Sequence, residues 1–119
     1  METRRSYRLD LTSDLTLGHD LQTLHGSVVN VGLSGIMGRT NFAPKVGEHY
    51  LLSFQLKPER TIFKSWAVVA WSQEHDQDDF LIGLQFERTD SAMYQKLADY
   101  ISNRWITEHL TPGTFGSNS

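Results

Sequence analysis

The residues best suited to holding an anion are three arginines near the start of the chain, in the run Arg4-Arg5-Ser6-Tyr7-Arg8. Arginine carries a planar fork of donors that matches phosphate oxygens, and a flat cation that stacks on rings. The same run also reads as a solvated, solubilising charge cluster, the usual fate of a short charge block. A second group lies at Asn30-Val31-Gly32-Leu33-Ser34-Gly35. A turn built from Asn30, Gly32, Ser34 and Gly35 exposes backbone N–H groups, an amide and a hydroxyl. Those are donors for phosphate oxygens, or partners for a purine edge. It reads equally as an ordinary strand-to-strand loop that needs residues tolerant of tight backbone.

Other chemistries are thinly supplied. The histidines at 19, 25, 49, 75 and 109 show no His-x-x-x-His pairing and have no cysteine beside them, whereas metal sites need clustered ligands. Glu74, Asp76, Asp78 and Asp79 crowd one stretch but lack the ligand spacing and bidentate glutamate of a calcium loop. There is no nucleophile elbow, phosphate loop or dinucleotide fingerprint. The chain therefore reads as a binding module. The rival from another class is a small β-barrel enzyme using His25 or His49 with the acidic turn, which requires those groups to meet in one pocket.

The chain has 119 residues, enough for one domain with a core of its own, and a formal net charge of −3 from 11 basic and 14 acidic residues. A mildly acidic chain is poorly matched to a nucleic-acid polymer. A local basic spot on it suits a small anionic ligand. With no cysteine there are no disulfides or thiolate metal sites. No secretory signal and no apolar run near the ~20 residues of a membrane span is present. The expectation is a soluble, cytoplasmic protein with no membrane insertion.

Those residues must be positioned by strands. Leu9, Leu11, Leu15 and Leu17 alternate with polar residues, a period of two that marks a half-buried strand. Gly18-His19-Asp20 reads as a turn, and a second strand runs from about Leu21 to Val29 with Gly26 as a candidate bulge. Asn30 to Gly35 is read as a structured loop leading into a short strand at Ile36-Met37. Tyr50, Leu52, Phe54 and Leu56 mark another strand, Ile62 to Trp71 a central one, and Phe80 to Phe86 one more, the last two joined by an acidic turn from His75 to Asp79. Alternation sets Trp71 on the face opposite Trp66. Thr89, Asp90 and Ser91 are each good N-caps for a helix with Met93, Leu97, Ile101 and Trp105 on one stripe, stopped by Pro112-Gly113.

Together the two polar stretches resemble the PilZ domain, the bacterial receptor module for cyclic di-GMP. That family has an Arg-x-x-x-Arg pair at the head of the first strand and, roughly twenty residues later, [Asp/Asn]-x-Ser-x-x-Gly followed by an apolar pair. Here Arg4 and Arg8 match the first motif, and Asn30 to Ile36 the second. Val69-Ala70-Trp71-Ser72 and Ile82-Gly83-Leu84-Gln85-Phe86 resemble the family's last two strands, so the likeness covers about residues 2 to 106. This chain departs at Thr3, where many members carry a further arginine, and at Gly32, where serine is usual. Gly32 keeps the backbone shape but forfeits a hydroxyl contact worth roughly 0.5–1.5 kcal/mol.

The resemblance implies a six-stranded antiparallel β-barrel with a C-terminal α-helix, mainly β. It implies a cyclic di-GMP site formed by Arg4, Arg5, Arg8, Asn30, Gly32, Ser34, Gly35 and Trp71, with no cofactor besides that ligand. Arg4 and Arg8 would grip phosphate or the guanine O6/N7 edge, Asn30 the other guanine edge, and Trp71 or a guanidinium would stack on a base; Trp71 reads equally as plain core packing. Arg5, between the motif positions, is the one that reads as charge alone. The expected organisation is a flexible arginine arm (1–8), the barrel and helix (9–110) and a flexible tail (111–119), as a monomer or weak dimer. Binding would order the arm and offer a new surface to an unidentified downstream protein. The alternative is a PilZ-type adaptor that binds no nucleotide and serves pilus or flagellar assembly.

Overall fold

The computed structural model describes residues 7–109. Among them, Leu9–His19 (β1), Gln22–Val31 (β2), Gly35–Thr40 (β3), His49–Leu56 (β4), Thr61–Asp76 (β5) and Asp79–Glu87 (β6) are followed by one helix, Ser91–His109 (α1). The strands close into an antiparallel barrel in the order β1-β2-β3-β6-β5-β4, the architecture expected from the sequence. The closing seam pairs Leu15–Gly18 of β1 with Leu51–Phe54 of β4.

The barrel forms because one face of each strand is apolar. Leu9, Leu11, Leu15 and Leu17 of β1 point inward, as do Tyr50, Leu52, Phe54 and Leu56 of β4. Phe63 of β5 fills the middle, its ring 5.3 Å from Phe54 and 4.9 Å from Phe86. Ser13 interrupts the apolar face of β1 and is buried. Its hydroxyl accepts the Gln55 N–H at 3.0 Å, so the polar group is satisfied.

Four local expectations change. Gly18 and His19 end β1, paired with Thr23 and Gln22, so the first turn is Asp20-Leu21. Asn30 and Val31 complete β2, opposite Met37 and Ile36. The ladder takes residues from the loop, β3 grows to Gly35–Thr40, and the turn shrinks to Gly32-Leu33-Ser34. Gly32 N donates to Gly35 O at 2.9 Å, and Phe86 N donates to Ser34 O at 2.8 Å. Gly26 pairs in register with Leu15 and Thr40, and the extra residue of β2 against β3 is Val29. The acidic turn is shorter, since β5 continues through His75 to Asp76 and leaves Gln77-Asp78 between the strands, with Asp78 at φ 54°.

Of three candidate caps, Asp90 serves: its carboxylate accepts the Met93 N–H at 3.1 Å. Leu97, Tyr100 and Ile101 bury one face of α1 in the barrel core, with Met93 and Trp105 packed beside it. Tyr100 donates its hydroxyl to Lys57 O. Arg104 donates to Lys57 O and Glu59 Oε1, both at 3.1 Å, which fixes the helix to the β4–β5 turn. Tyr7 is 4% exposed and meets the His109 ring edge-on at 5.8 Å, while His109 stacks on Trp105 at 4.4 Å. The residue just ahead of Arg8 is thus packed against the last turn of α1.

Candidate functional site

Alternation at the head of β1 decides where Arg8 goes. Tyr7 and Leu9 turn inward, so Arg8 turns outward. It reaches the end of β2, where Nε and Nη2 both donate to Asn30 Oδ1, at 3.0 and 2.8 Å. Packing against the neighbouring turn desolvates the guanidinium and lowers its pKa, yet arginine stays charged at any physiological pH.

Gly32 explains how Arg8 fits. A Cβ at position 32 would lie 2.8 Å from Arg8 Nη1, 3.1 Å from Cδ and 3.3 Å from Cζ. The guanidinium occupies the space that a serine side chain would need. Gly32 is itself buried beneath it.

Beside this pair opens a cavity of about 390 Å³. Its lining includes Arg8 and Asn30, Ser34 and Gly35, and Ala70 with Trp71 on β5, three strands from Asn30. Of the residues singled out from the sequence, Arg8, Asn30, Ser34, Gly35 and Trp71 converge there, and Gly32 underlies Arg8. Arg4 and Arg5 lie outside the described residues. Ser34 is exposed, but Gly35 is buried, with a Cβ there only 2.1 Å from the Leu84 carbonyl oxygen. The glycine is required by the close approach of β3 to β6.

Trp71 is on the outside of the barrel, 40% exposed, like Trp66. This corrects the expectation of opposite faces. Val69 pairs with Leu84 but Trp71 with Gly83, so Ala70 is an extra residue and the bulge reverses the alternation beyond it.

The cavity also holds Met37, Gly83 and Gln85, which the sequence did not flag. The ladder explains them: Asn30 lies opposite Met37, Met37 opposite Gly83, and Gly83 opposite Trp71. Three strand steps set the Asn30 and Trp71 backbones about 14 Å apart. Cross-strand register has no signature within one strand. Alternation marks Met37 and Gln85 only as outward-facing.

Neither His25 nor His49 lines this cavity, nor does any residue of the Glu74–Asp79 stretch. His49 instead pairs with Glu87 at 3.0 Å. Among the described residues no three His, Asp or Glu side chains are grouped to hold a metal, and no helix is long and apolar enough to cross a membrane.

The same fold occurs in solved structures. The inhibitor of motility of Bacillus subtilis (MotI/DgrA) superimposes with a TM-score of 0.73 at 18% identity, covering 86% of this chain and 51% of that one. YcgR from Escherichia coli in complex with c-di-GMP gives 0.69 at 12%, covering 83% and 44%. Its PilZ domain with c-di-GMP gives 0.65 at 11%, covering 86% and 93%. This chain thus spans about half the length of the first two proteins. No curated protein matches the sequence. The PilZ domain family model matches residues 2–103. With that match over most of its length, and the barrel that carries Arg8 and Asn30 side by side, the chain belongs to the PilZ domain family.

Proposed function

We propose that this protein is a cyclic di-GMP receptor, a binding module rather than an enzyme. The observation that carries the reading is the single cavity in which Arg8, Asn30, the Ser34–Gly35 turn and Trp71 converge. The ligand offers two phosphates and two guanines. Arg8 carries the fork that reads phosphate oxygens or a guanine O6/N7 edge once it leaves Asn30 Oδ1, and Asn30 has an amide nitrogen beside it. Trp71 is an exposed ring for a base to stack on. YcgR, whose PilZ domain shares the fold, was solved with c-di-GMP bound.

The magnitudes reach micromolar affinity at the upper end of their range. Two charge-assisted contacts supply about 1.5–3 kcal/mol each and one stacked base about 1–3, against the roughly 8 kcal/mol of micromolar affinity. Arg4, supplied from residues 1–6, is the second arginine of the pair. Its engagement orders the arm across the barrel, and the newly ordered surface is what a downstream protein recognises.

Isothermal titration of the purified protein with cyclic di-GMP tests this. Binding in the micromolar range, lost in Arg4→Ala/Arg8→Ala, is expected. No heat from the unmodified protein, or undiminished binding by the double variant, refutes the reading. Arg8 tied to Asn30, and Gly32 in place of serine, favour the second reading, an adaptor that binds no nucleotide. That reading predicts no heat in the same experiment.

A further inference from the structure

The outward Trp71 is an unusual expense for the sheet. In β5, Phe63, Ser65, Ala67 and Val69 all face the core, and Val69 is 1% exposed. Continued alternation would take Trp71 into the barrel. The extra residue Ala70 turns it out instead, at the cost of a disrupted ladder.

A second local concession sits directly across the ladder. Trp71 pairs with Gly83. A Cβ at position 83 would lie 2.1 Å from Trp71 Nε1, 2.4 Å from Cε2 and 2.7 Å from Cδ1. The pyrrole edge of the indole therefore rests on the bare backbone of β6. Any side chain at position 83 forces the ring away by an ångström or more, since the backbone beneath cannot yield. Glycine within a strand weakens it, and it marks places where something must approach closely. Here that something is the indole, held down on the outer face, still 40% exposed and lining the cavity.

We propose that Gly83 and the Ala70 bulge are positioning elements that lay Trp71 down as the base-stacking platform of this site, opposite Arg8 and Asn30. The inference rests on the cyclic di-GMP reading, in which Trp71 is the stacking ring, and adds the residues that seat that ring. Gly83 acts through the ring it seats.

The test is a double-mutant cycle read by titration with cyclic di-GMP. Trp71→Ala removes the ring, and binding weakens roughly five- to hundredfold, the worth of one stacked base. Gly83→Ala lifts the ring and weakens binding by a similar factor, while Gly83→Ala/Trp71→Ala is no weaker than Trp71→Ala alone. A merely structural glycine would weaken binding equally in both backgrounds, which would overturn the proposal. Should Gly83→Ala not fold, Trp71→Phe and Trp71→Ala decide the matter: the phenyl ring retains most of the affinity and alanine does not. If the unmodified protein binds and Trp71→Ala binds equally well, the platform is refuted and the receptor reading stands. If the unmodified protein does not bind, both fall.

Discussion

Gly32→Ser restores the residue usual in the family, and its effect follows from the space around Arg8. The new Cβ would meet Arg8 Nη1 at 2.8 Å and Cζ at 3.3 Å. Those atoms are the far end of a flexible side chain, so Arg8 swings away and the barrel keeps its shape. Gly32 does not occupy the left-handed region, so serine brings no backbone strain, and the Gly32 N–H bond to Gly35 O is retained. Two changes follow, both in the same direction. The hydrogen bonds of Arg8 to Asn30 Oδ1 are released before the ligand arrives, freeing the fork for the phosphate or guanine. The serine hydroxyl also adds a contact worth roughly 0.5–1.5 kcal/mol, or about two- to twelvefold in affinity. Titration of both proteins with cyclic di-GMP under one salt condition should therefore show tighter binding by Gly32→Ser, with melting temperature little changed. Weaker binding would refute the reasoning, because it would mean that the pose of Arg8 folded over Gly32 is itself the ligand-bound pose.

The remaining predictions concern what holds the site in place. Gly35→Ala drives a Cβ to 2.1 Å from the Leu84 carbonyl oxygen; overpacking against backbone costs about 1–3 kcal/mol, seen as a melting temperature lower by at least about 4 °C. Asp90→Ala removes the cap on Met93 N and lowers the unfolding free energy in urea by about 1 kcal/mol. Tyr50→Phe removes the hydroxyl that donates to Glu48 Oε1 at 2.6 Å, the main cause of the lowered Glu48 pKa. A carboxylate with a depressed folded pKa stabilises the fold above its ordinary value of 4.5, and that contribution is lost as the pH falls through the folded value. The stability gap between Tyr50→Phe and the unmodified protein should accordingly be present at pH 7 and narrow below about pH 4.5, measured by urea unfolding at each pH.

What the amino-acid sequence determined by itself was set by short-range patterns. The alternation of Leu9, Leu11, Leu15 and Leu17 put Arg8 on the outside of the barrel, because side chains in a strand change face at every residue. The i, i+4 spacing of Met93, Leu97, Ile101 and Trp105 declared the helix. The family's two motifs were legible because each lies within a few consecutive residues, and the cavity brings Arg8, Asn30 and Ser34 together.

The tertiary structure decided what depends on register between distant strands. Only the ladder shows that Asn30, Met37, Gly83 and Trp71 form one row across four strands. The alternation that placed Arg8 correctly placed Trp71 on the wrong face. A bulge is a mismatch in length between paired strands, and neither strand records it alone. Gly32 read as a lost hydroxyl and proved to be the space Arg8 folds into. Gly35 read as an exposed donor and proved to be the gap that lets β3 approach β6. In each case the sequence supplied the residue type, and the neighbour from another strand decided what that type was for.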